Sequence, residues 1–71
     1  MSKQLERISA KLEEIQAELT EMAESARDTY DSRSEKWQES EKGEEWDEKT
    51  TALEDAASSV QDAIDYLSDW L

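Results

Sequence analysis

Apolar residues recur at steps of three and four along the first part of the chain. They form one stripe on a helical surface, made of Leu5, Ile8, Leu12, Ile15, Leu19, Met22 and Ala26. Because this spacing repeats every seven residues, it is typical of an amphipathic helix of the coiled-coil kind. The pattern predicts a first helix over about residues 3–30.

A second and wider apolar stripe runs through the last third of the chain. Its members are Trp46, Thr50, Leu53, Ala56, Ala57, Val60, Ala63, Ile64, Leu67, Trp70 and Leu71. Positions that flank the narrow seam are apolar here too, which widens the face that this helix would bury. The pattern predicts a second helix over about residues 41–70.

The apolar spacing is lost between the two stripes, over about residues 31–40. Continuing the first heptad pattern would put Arg33 and Lys36 in the apolar seam. Since charged residues are unfavourable there, we expect the first helix to end near Tyr30. The interruption is therefore predicted to be a connector between two helices.

The polar residues of this connector resemble helix caps. Residues 32–35, with the sequence SRSE, match a capping box for a short turn that carries Trp37. Ser40 is placed to cap the helix that follows. A turn at Gly43 is the alternative, with a first helix that runs to about residue 41. Within the first turn of the second helix, Gly43 would cost roughly 1 kcal/mol relative to alanine, which is tolerable.

The register of the two stripes separates these alternatives. Residues that face each other in an antiparallel hairpin have position numbers with a constant sum. A sum of 72 gives apolar pairs along the whole length, including Ile8 with Ile64 and Ala26 with Trp46. A turn at Gly43 needs a sum near 86, which leaves the first apolar residues without partners. We therefore expect an all-α fold, in which residues 1–71 form a single antiparallel two-helix hairpin.

A hairpin of 71 residues has one buried seam, so its stability is limited. The chain has no cysteine for a disulfide, and without histidine or cysteine it lacks the usual ligands of a structural zinc site. Association is the remaining source of stability, and Ala52, Ala56, Ala57 and Ala63 would let another hairpin approach closely. We expect an antiparallel homodimer that forms a four-helix bundle. A monomeric hairpin is the alternative.

The charge of the chain limits the kinds of partner. Its net charge is −12, from 20 acidic and 8 basic residues. Proteins that bind nucleic acid or anionic membranes need a basic surface, so neither class fits. The first residues are charged, and no apolar run is long enough for a signal peptide or a membrane span. We expect a soluble cytoplasmic protein that binds neither nucleic acid directly nor a membrane.

No residue pattern points to catalysis. With 20 carboxylates in 71 residues, adjacent acidic pairs such as Glu13 and Glu14 are unavoidable. Neighbouring residues diverge by about 100° around a helix, so these pairs do not converge as a metal site or an acid–base couple requires. We expect no enzyme, no cofactor and no bound metal.

One stretch of the chain carries a resemblance to a known family. Tyr30 and Asp31 are followed by WQESEKGE at residues 37–44, and then by an acidic, alanine-rich helix with AID at residues 63–65. Over nearly its whole length the chain resembles a family of short, uncharacterised proteins from phages, plasmids and bacteria. Many members have proline in place of Ser34, and often aliphatic or smaller residues in place of Trp37 and Trp46. The resemblance implies a helical hairpin and a mobile-element origin, and it implies no activity.

The leading functional hypothesis is a non-enzymatic interaction protein of the kind that phages use as inhibitors. Its acidic face would mask a basic, nucleic-acid-binding surface of a host protein. Residues 50–71 contain five carboxylates and no Lys or Arg. Asp65 and Asp69 lie near a helix C-terminus, where negative charge opposes the helix dipole by some tenths of a kcal/mol. The candidate partner-binding residues are Trp37, Trp46, Glu54, Asp55, Asp62, Asp65 and Asp69.

Three other functions stay open at this point. In the first, the acidic face serves only to keep the protein in solution. In the second, the chain is a structural homo-oligomerisation module with no foreign ligand. In the third, a cleft within an oligomer binds a small molecule. The aromatic residues allow two interpretations as well. Tyr30, Trp37 and Trp46 fall at one end of the predicted hairpin, and Tyr66 and Trp70 fall at the other. Structural caps are the simpler interpretation, and anchors for a partner are the alternative.

Overall fold

The computed structural model describes Ser2 to Leu71 and consists of two long helices joined by a short one. Helix α1 spans Ser2–Ser32, α2 spans Glu35–Gln38 and α3 spans Glu41–Ser68. The described residues contain no strand, and α1 packs along α3 as a hairpin 53 Å long. Each end of the two long helices lies within two residues of its predicted position. The all-α hairpin with a connector near residues 31–40 is therefore confirmed.

Small side chains line the seam between α1 and α3. The buried residues of α3 recur every seven positions and are Gly43, Thr50, Ala57 and Ile64. In α1 the buried residues are Ser9 and Ala23. Small side chains at such positions allow two helices to approach closely. Thr50, at 1 % exposure, keeps its hydroxyl satisfied by donating to the carbonyl of Trp46 at 2.7 Å.

The predicted register is supported at the corner end of the hairpin. The indole N–H of Trp46 donates to the carbonyl oxygen of Ala26 at 2.8 Å, and the numbers of these two residues sum to 72. Further along the seam, the position numbers of opposing buried residues add up to 73 rather than 72. Ser9 with Ile64 and Ala23 with Thr50 each sum to 73. The turn therefore lies near residue 36, and the alternative turn at Gly43 is excluded.

The prediction that Ile8 lies buried in the seam with Ile64 is wrong. Ile64 is buried, whereas Ile8, Ile15 and Met22 are 42, 45 and 56 % exposed. Ser9 is buried instead, and successive residues diverge by about 100° around a helix. Burial of Ser9 therefore turns the row that begins with Ile8 to the side of the hairpin.

The connector bends the chain through α2. Ser34 is the N-cap of α2, and its hydroxyl accepts the backbone N–H of Trp37 at 3.2 Å. The predicted capping box that starts at Ser32 is wrong by two residues, because Ser32 still belongs to α1 and donates its hydroxyl to a carbonyl of that helix. Gln38 then donates its side-chain amide to the carbonyl of Tyr30 at 2.8 Å. This bond supplies one of the partners that the last carbonyls of α1 lack.

Helix α3 begins with a cap and a glycine that act together. As predicted, Ser40 caps α3 by accepting the N–H of Gly43 at 3.2 Å. A β-carbon on Gly43 would overlap the carbonyl oxygen of Trp37 and would lie 2.6 Å from that of Gln38. These oxygens belong to the backbone of the connector, so they move aside less readily than the end of a flexible side chain would. Gly43 is therefore required by this close approach, rather than merely tolerated.

Replacing Gly43 by alanine tests this contact. In an open helix the change would stabilise the protein by roughly 1 kcal/mol. Here the overlap with backbone reverses the sign, and we expect the free energy of unfolding in urea to fall by about 1–3 kcal/mol. Ser59→Ala, at an exposed position of the same helix, is the matched control and should change it by less than about 0.5 kcal/mol. A more stable Gly43→Ala protein would contradict the close packing of the connector on α3.

Candidate functional site

Three aromatic rings pack together at the corner of the hairpin. The ring centroids of Tyr30 and Trp37 lie 6.1 Å apart, and those of Trp37 and Trp46 lie 6.4 Å apart, both pairs in edge-to-face orientation. The guanidinium of Arg33 lies 4.4 Å from the centre of the Trp37 ring. These contacts connect α1, α2 and α3. The three rings therefore stabilise the corner, which is the simpler interpretation given by the sequence.

The open end of the hairpin has no such cluster. Tyr66 and Trp70 are 76 and 75 % exposed, so the expectation that they cap this end is wrong. Ile64 occupies the seam at this level, and Tyr66 follows it by about 200° around the helix. Tyr66 therefore points away from α1, and Trp70 lies in the turn that follows α3, where its backbone N–H donates to the carbonyl of Leu67 at 2.9 Å.

Arg27 joins the two long helices on one side of the seam. Its Nη1 donates to Asp47 Oδ1 at 2.7 Å and its Nη2 to Glu54 Oε1 at 2.9 Å. The hydrogen bonds to Glu54 and then Asp47 raise the pKa of Arg27 above its ordinary value, so it stays cationic. We call this group the Arg27 bridge. It links α1 to Asp47 and Glu54, which are seven residues apart and therefore lie on the same face of α3.

The Arg27 bridge changes the role expected for Glu54. The sequence predicted Glu54 as a partner-binding carboxylate short of cations, because residues 50–71 contain no Lys or Arg. Its counter-charge comes instead from α1. A count of charges along α3 alone does not include Arg27, which the hairpin places beside Glu54 from α1. The expectation of an unpaired Glu54 is therefore wrong.

Three other predicted residues are brought together on the last turns of α3. Asp62, Asp65 and Asp69 line one shallow depression together with the exposed Tyr66. Spacings of three and four residues separate successive carboxylates by about 4.5–6 Å along the helix axis. Asp55 lies two helical turns before Asp62 and is exposed. We call Asp62, Asp65 and Asp69 the Asp cluster.

One side of the hairpin is apolar along its length. It is formed by four rows, each made of residues spaced seven positions apart. Two rows belong to α1 and start at Leu5 and Ile8. The other two start in α3, at Trp46 and Lys49, and the last of these ends at Trp70. None of the 20 carboxylates of the chain falls on these rows, and Lys49 is their single charge. We call these four rows the apolar face. Its exposed members include Ile8, Ile15, Met22, Trp46 and Trp70.

A groove of about 720 Å³ lies in the apolar face near the corner. All four rows contribute to it, through Met22, Ala26, Thr29, Trp46, Lys49 and Leu53. Glu18 and Glu21, from neighbouring rows of α1, also border it. We call it the corner groove. Its lining shows that the four rows do lie on one side of the hairpin.

The opposite side of the hairpin is polar. A depression there is lined by residues that include Thr20, Arg27 and Glu54. The rows through these residues start at Glu6 in α1 and Asp47 in α3, and neither row contains an apolar residue. The hairpin is therefore two-sided, with the Arg27 bridge on one side and the apolar face on the other.

The sequence pattern does not reveal the apolar face. It predicts Ile8, Ile15 and Met22 in the seam within the hairpin and Ala57 on a surface that faces another hairpin. Ala57 is instead buried against α1. The row of small residues that includes Ala57 could have indicated the buried side of α3, because small side chains allow a neighbouring helix to approach closely.

The described part of the chain offers neither a metal centre nor a membrane span. Among Ser2–Leu71 no three carboxylates converge into a group that could hold a metal ion. Within the same residues, no helix combines the length and the apolar character needed to cross a bilayer. The candidate sites are therefore surfaces, namely the Asp cluster and the apolar face.

Comparisons of the chain with protein-family models, with curated proteins and with solved structures find no match. The resemblance to short phage and plasmid proteins therefore stays an expectation from the sequence.

The contribution of the Arg27 bridge can be measured with a pair of variants. Arg27→Gln should lower the melting temperature, because Asp47 and Glu54 would lose the cation that they share. Arg7→Gln removes the same charge at an exposed position that has no ion pair within the described residues, and it should have little effect. The difference should shrink at about 1 M salt, where exposed charges are screened. Equal melting temperatures at low salt would show that the bridge adds nothing.

Proposed function

We propose that this chain is a non-enzymatic interaction protein that masks a basic surface of another protein in the cytoplasm. The surface that it masks is one that would otherwise contact nucleic acid. A protein of this kind suits a phage or another mobile element, as an inhibitor of a host protein. The chain itself carries the acidic side of the interface.

The observation that carries this proposal is the Asp cluster. Its three carboxylates are exposed, lie on adjacent turns of α3 and have no basic residue in the last turn beside them. They also lie at the C-terminal end of the helix, where the dipole is unfavourable for negative charge. Stability alone would favour Lys or Arg there. A basic partner would supply the missing counter-charges.

The spacing of these charges fits competition with a nucleic-acid backbone. The carboxylates of the Asp cluster follow each other at about 4.5–6 Å along a rigid helix. Duplex DNA presents one phosphate per about 3.4 Å along each strand, which is a spacing of the same order. Lys and Arg side chains are long and flexible, so they can reach either array. Binding should therefore be strongest at low salt.

The quaternary form that we propose for this protein is a homodimer that forms a four-helix bundle. The apolar face supports it, because exposed apolar surface that continues along a whole molecule marks an interaction site. The same face favours a second candidate function, that of a structural assembly module with no foreign ligand. The two functions differ in whether the Asp cluster contributes to binding.

Replacing the Asp cluster by asparagine tests the proposed function. The triple variant D62N/D65N/D69N should keep its helix content by circular dichroism and melt at the same or a higher temperature, because repulsion from the helix dipole is relieved. Immobilised on beads in about 50 mM salt, it should retain basic proteins from a bacterial lysate at least about tenfold more weakly than the unmodified chain. Added duplex DNA should displace the same proteins from the unmodified chain.

The matched control changes three carboxylates elsewhere. The variant E6Q/E13Q/E24Q removes the same charge from exposed positions of α1, and it should retain basic proteins almost as well as the unmodified chain. Equal retention by both triple variants at low and high salt would contradict the proposal. The acidic surface would then serve only for solubility, and the assembly function would be favoured.

A further inference from the structure

We infer that a second copy of this chain covers the apolar face in one defined arrangement. The two hairpins lie antiparallel, a two-fold axis passes beside Ile15, and Trp70 of the second copy occupies the corner groove beside Trp46. This inference rests on the dimeric form proposed above and names its interface. It does not depend on whether the Asp cluster binds a basic partner.

Charge identifies the occupant of the apolar face as a second copy. The chain carries a net charge of −12, so most ways of bringing two copies together are repulsive. The apolar face is the exception, because its four rows contain no carboxylate and a single cation, Lys49. A basic partner, by contrast, would be attracted to the rest of the surface. The apolar face is therefore where two copies meet with least repulsion.

The size of the face is sufficient for a stable dimer. The backbone of the hairpin measures 53 Å by 14 Å, so one side covers roughly 700 Å² before the side chains are counted. A stable interface buries about 800 Å² on each partner. Hairpins that overlap along most of their length would approach this area once side chains are counted, whereas contact at one end would not.

The residues of α1 locate the two-fold axis. When two copies of α1 cross antiparallel at Ile15, residues whose numbers sum to 30 face each other. Ile8 then lies opposite Met22 of the second copy, and Ile15 lies opposite its own equivalent. On the row that borders the apolar face, Lys11 and Glu18 sum to 29 and become neighbours across the interface. The arrangement thus joins exposed apolar residues and forms two opposite-charge pairs.

The same axis produces matching pairs on α3. Because residues at one level of the hairpin sum to 73, Ile15 is level with residue 58. Residues of α3 and its copy then face each other when their numbers sum to 116. Trp70 falls opposite Trp46, and Leu53 falls opposite Ala63. The indole of Trp70, 75 % exposed in the single hairpin, therefore lies over the corner groove.

The alternative arrangement places both corners at the same end. Residues 33–48, which form the corner, contain seven carboxylates and three cations. Two corners side by side would therefore repel each other. In the antiparallel arrangement each corner lies toward the open end of the second copy, where residues 2–11 contain three cations and one carboxylate and residues 62–71 contain three carboxylates, so this end carries less negative charge than a second corner. Electrostatics therefore favours the antiparallel arrangement.

Sedimentation equilibrium tests the use of the apolar face. At about 1–100 µM, the unmodified chain should sediment with about twice its mass of 8.2 kDa. Met22→Glu should be monomeric, because it places a charge in the centre of the interface. Ala17→Glu adds the same charge at an exposed position outside the four rows, and it should stay dimeric. A monomeric unmodified chain, or a dimer that Met22→Glu leaves intact, would overturn the inference.

Crosslinking and one further substitution test the arrangement. The chain has no cysteine, so Ile15→Cys introduces a single thiol that should form a disulfide with its equivalent across the axis, whereas Ala17→Cys should not. Trp70→Ala should raise the dissociation constant of the dimer by about tenfold or more. Tyr66→Ala removes an equally exposed aromatic ring outside the four rows and should change it by less than about twofold.

These outcomes separate the inference from the proposed function. A dimer that loses affinity equally with Trp70→Ala and Tyr66→Ala, or that crosslinks at Ala17→Cys but not at Ile15→Cys, would overturn the arrangement. Salt-dependent capture through the Asp cluster is measured separately, with the D62N/D65N/D69N variant. If the D62N/D65N/D69N variant captured basic proteins as well as the unmodified chain does, the masking function would be contradicted. The mass of the dimer would be unaffected by that result.

Discussion

In a hairpin of two helices each long helix has a single neighbour, so it can bury only one narrow strip of its surface. Here that strip is filled mostly by small residues, with Gly43, Thr50 and Ala57 on α3 and Ser9 and Ala23 on α1, and with Ile64 as its large apolar member. Such a strip allows close packing, but it buries few of the larger apolar side chains. Most of these line one side of the hairpin, while ionic residues line the other. The two-sided character of the molecule follows from the composition of its seam.

The sequence pattern was sufficient to predict the hairpin, because the positions of two helices and one turn depend on few features of the sequence. Two apolar stripes, a break where Arg33 and Lys36 would enter the seam, and a cap at Ser40 were sufficient for the helix ends and the turn. The pattern did not reveal which apolar row is buried. A heptad stripe records that Ile8 avoids water without recording whether α3 or another molecule covers it. For the same reason, the stripe could not separate the seam of the hairpin from its apolar face.

Contacts between residues distant in sequence were the other features that the pattern missed. Arg27 neutralises Glu54 across the hairpin, which charge counting along one helix did not reveal. Gly43 looked like a tolerated defect of α3, but it is the position where the connector and α3 come closest. Both are consequences of packing. The Asp cluster, by contrast, follows from helical spacing alone, and all three of its predicted carboxylates lie together on α3.

We propose that the hairpin completes its core with a second, antiparallel copy laid along the apolar face. Small-angle X-ray scattering in solution gives the mass and the length of the particle together. For this dimer we expect about twice 8.2 kDa and a longest dimension only about 10 Å greater than the 53 Å length of one hairpin, because the axis at Ile15 staggers the two copies slightly. A particle with the mass of one chain, or one with twice the mass and about twice the length, would contradict it.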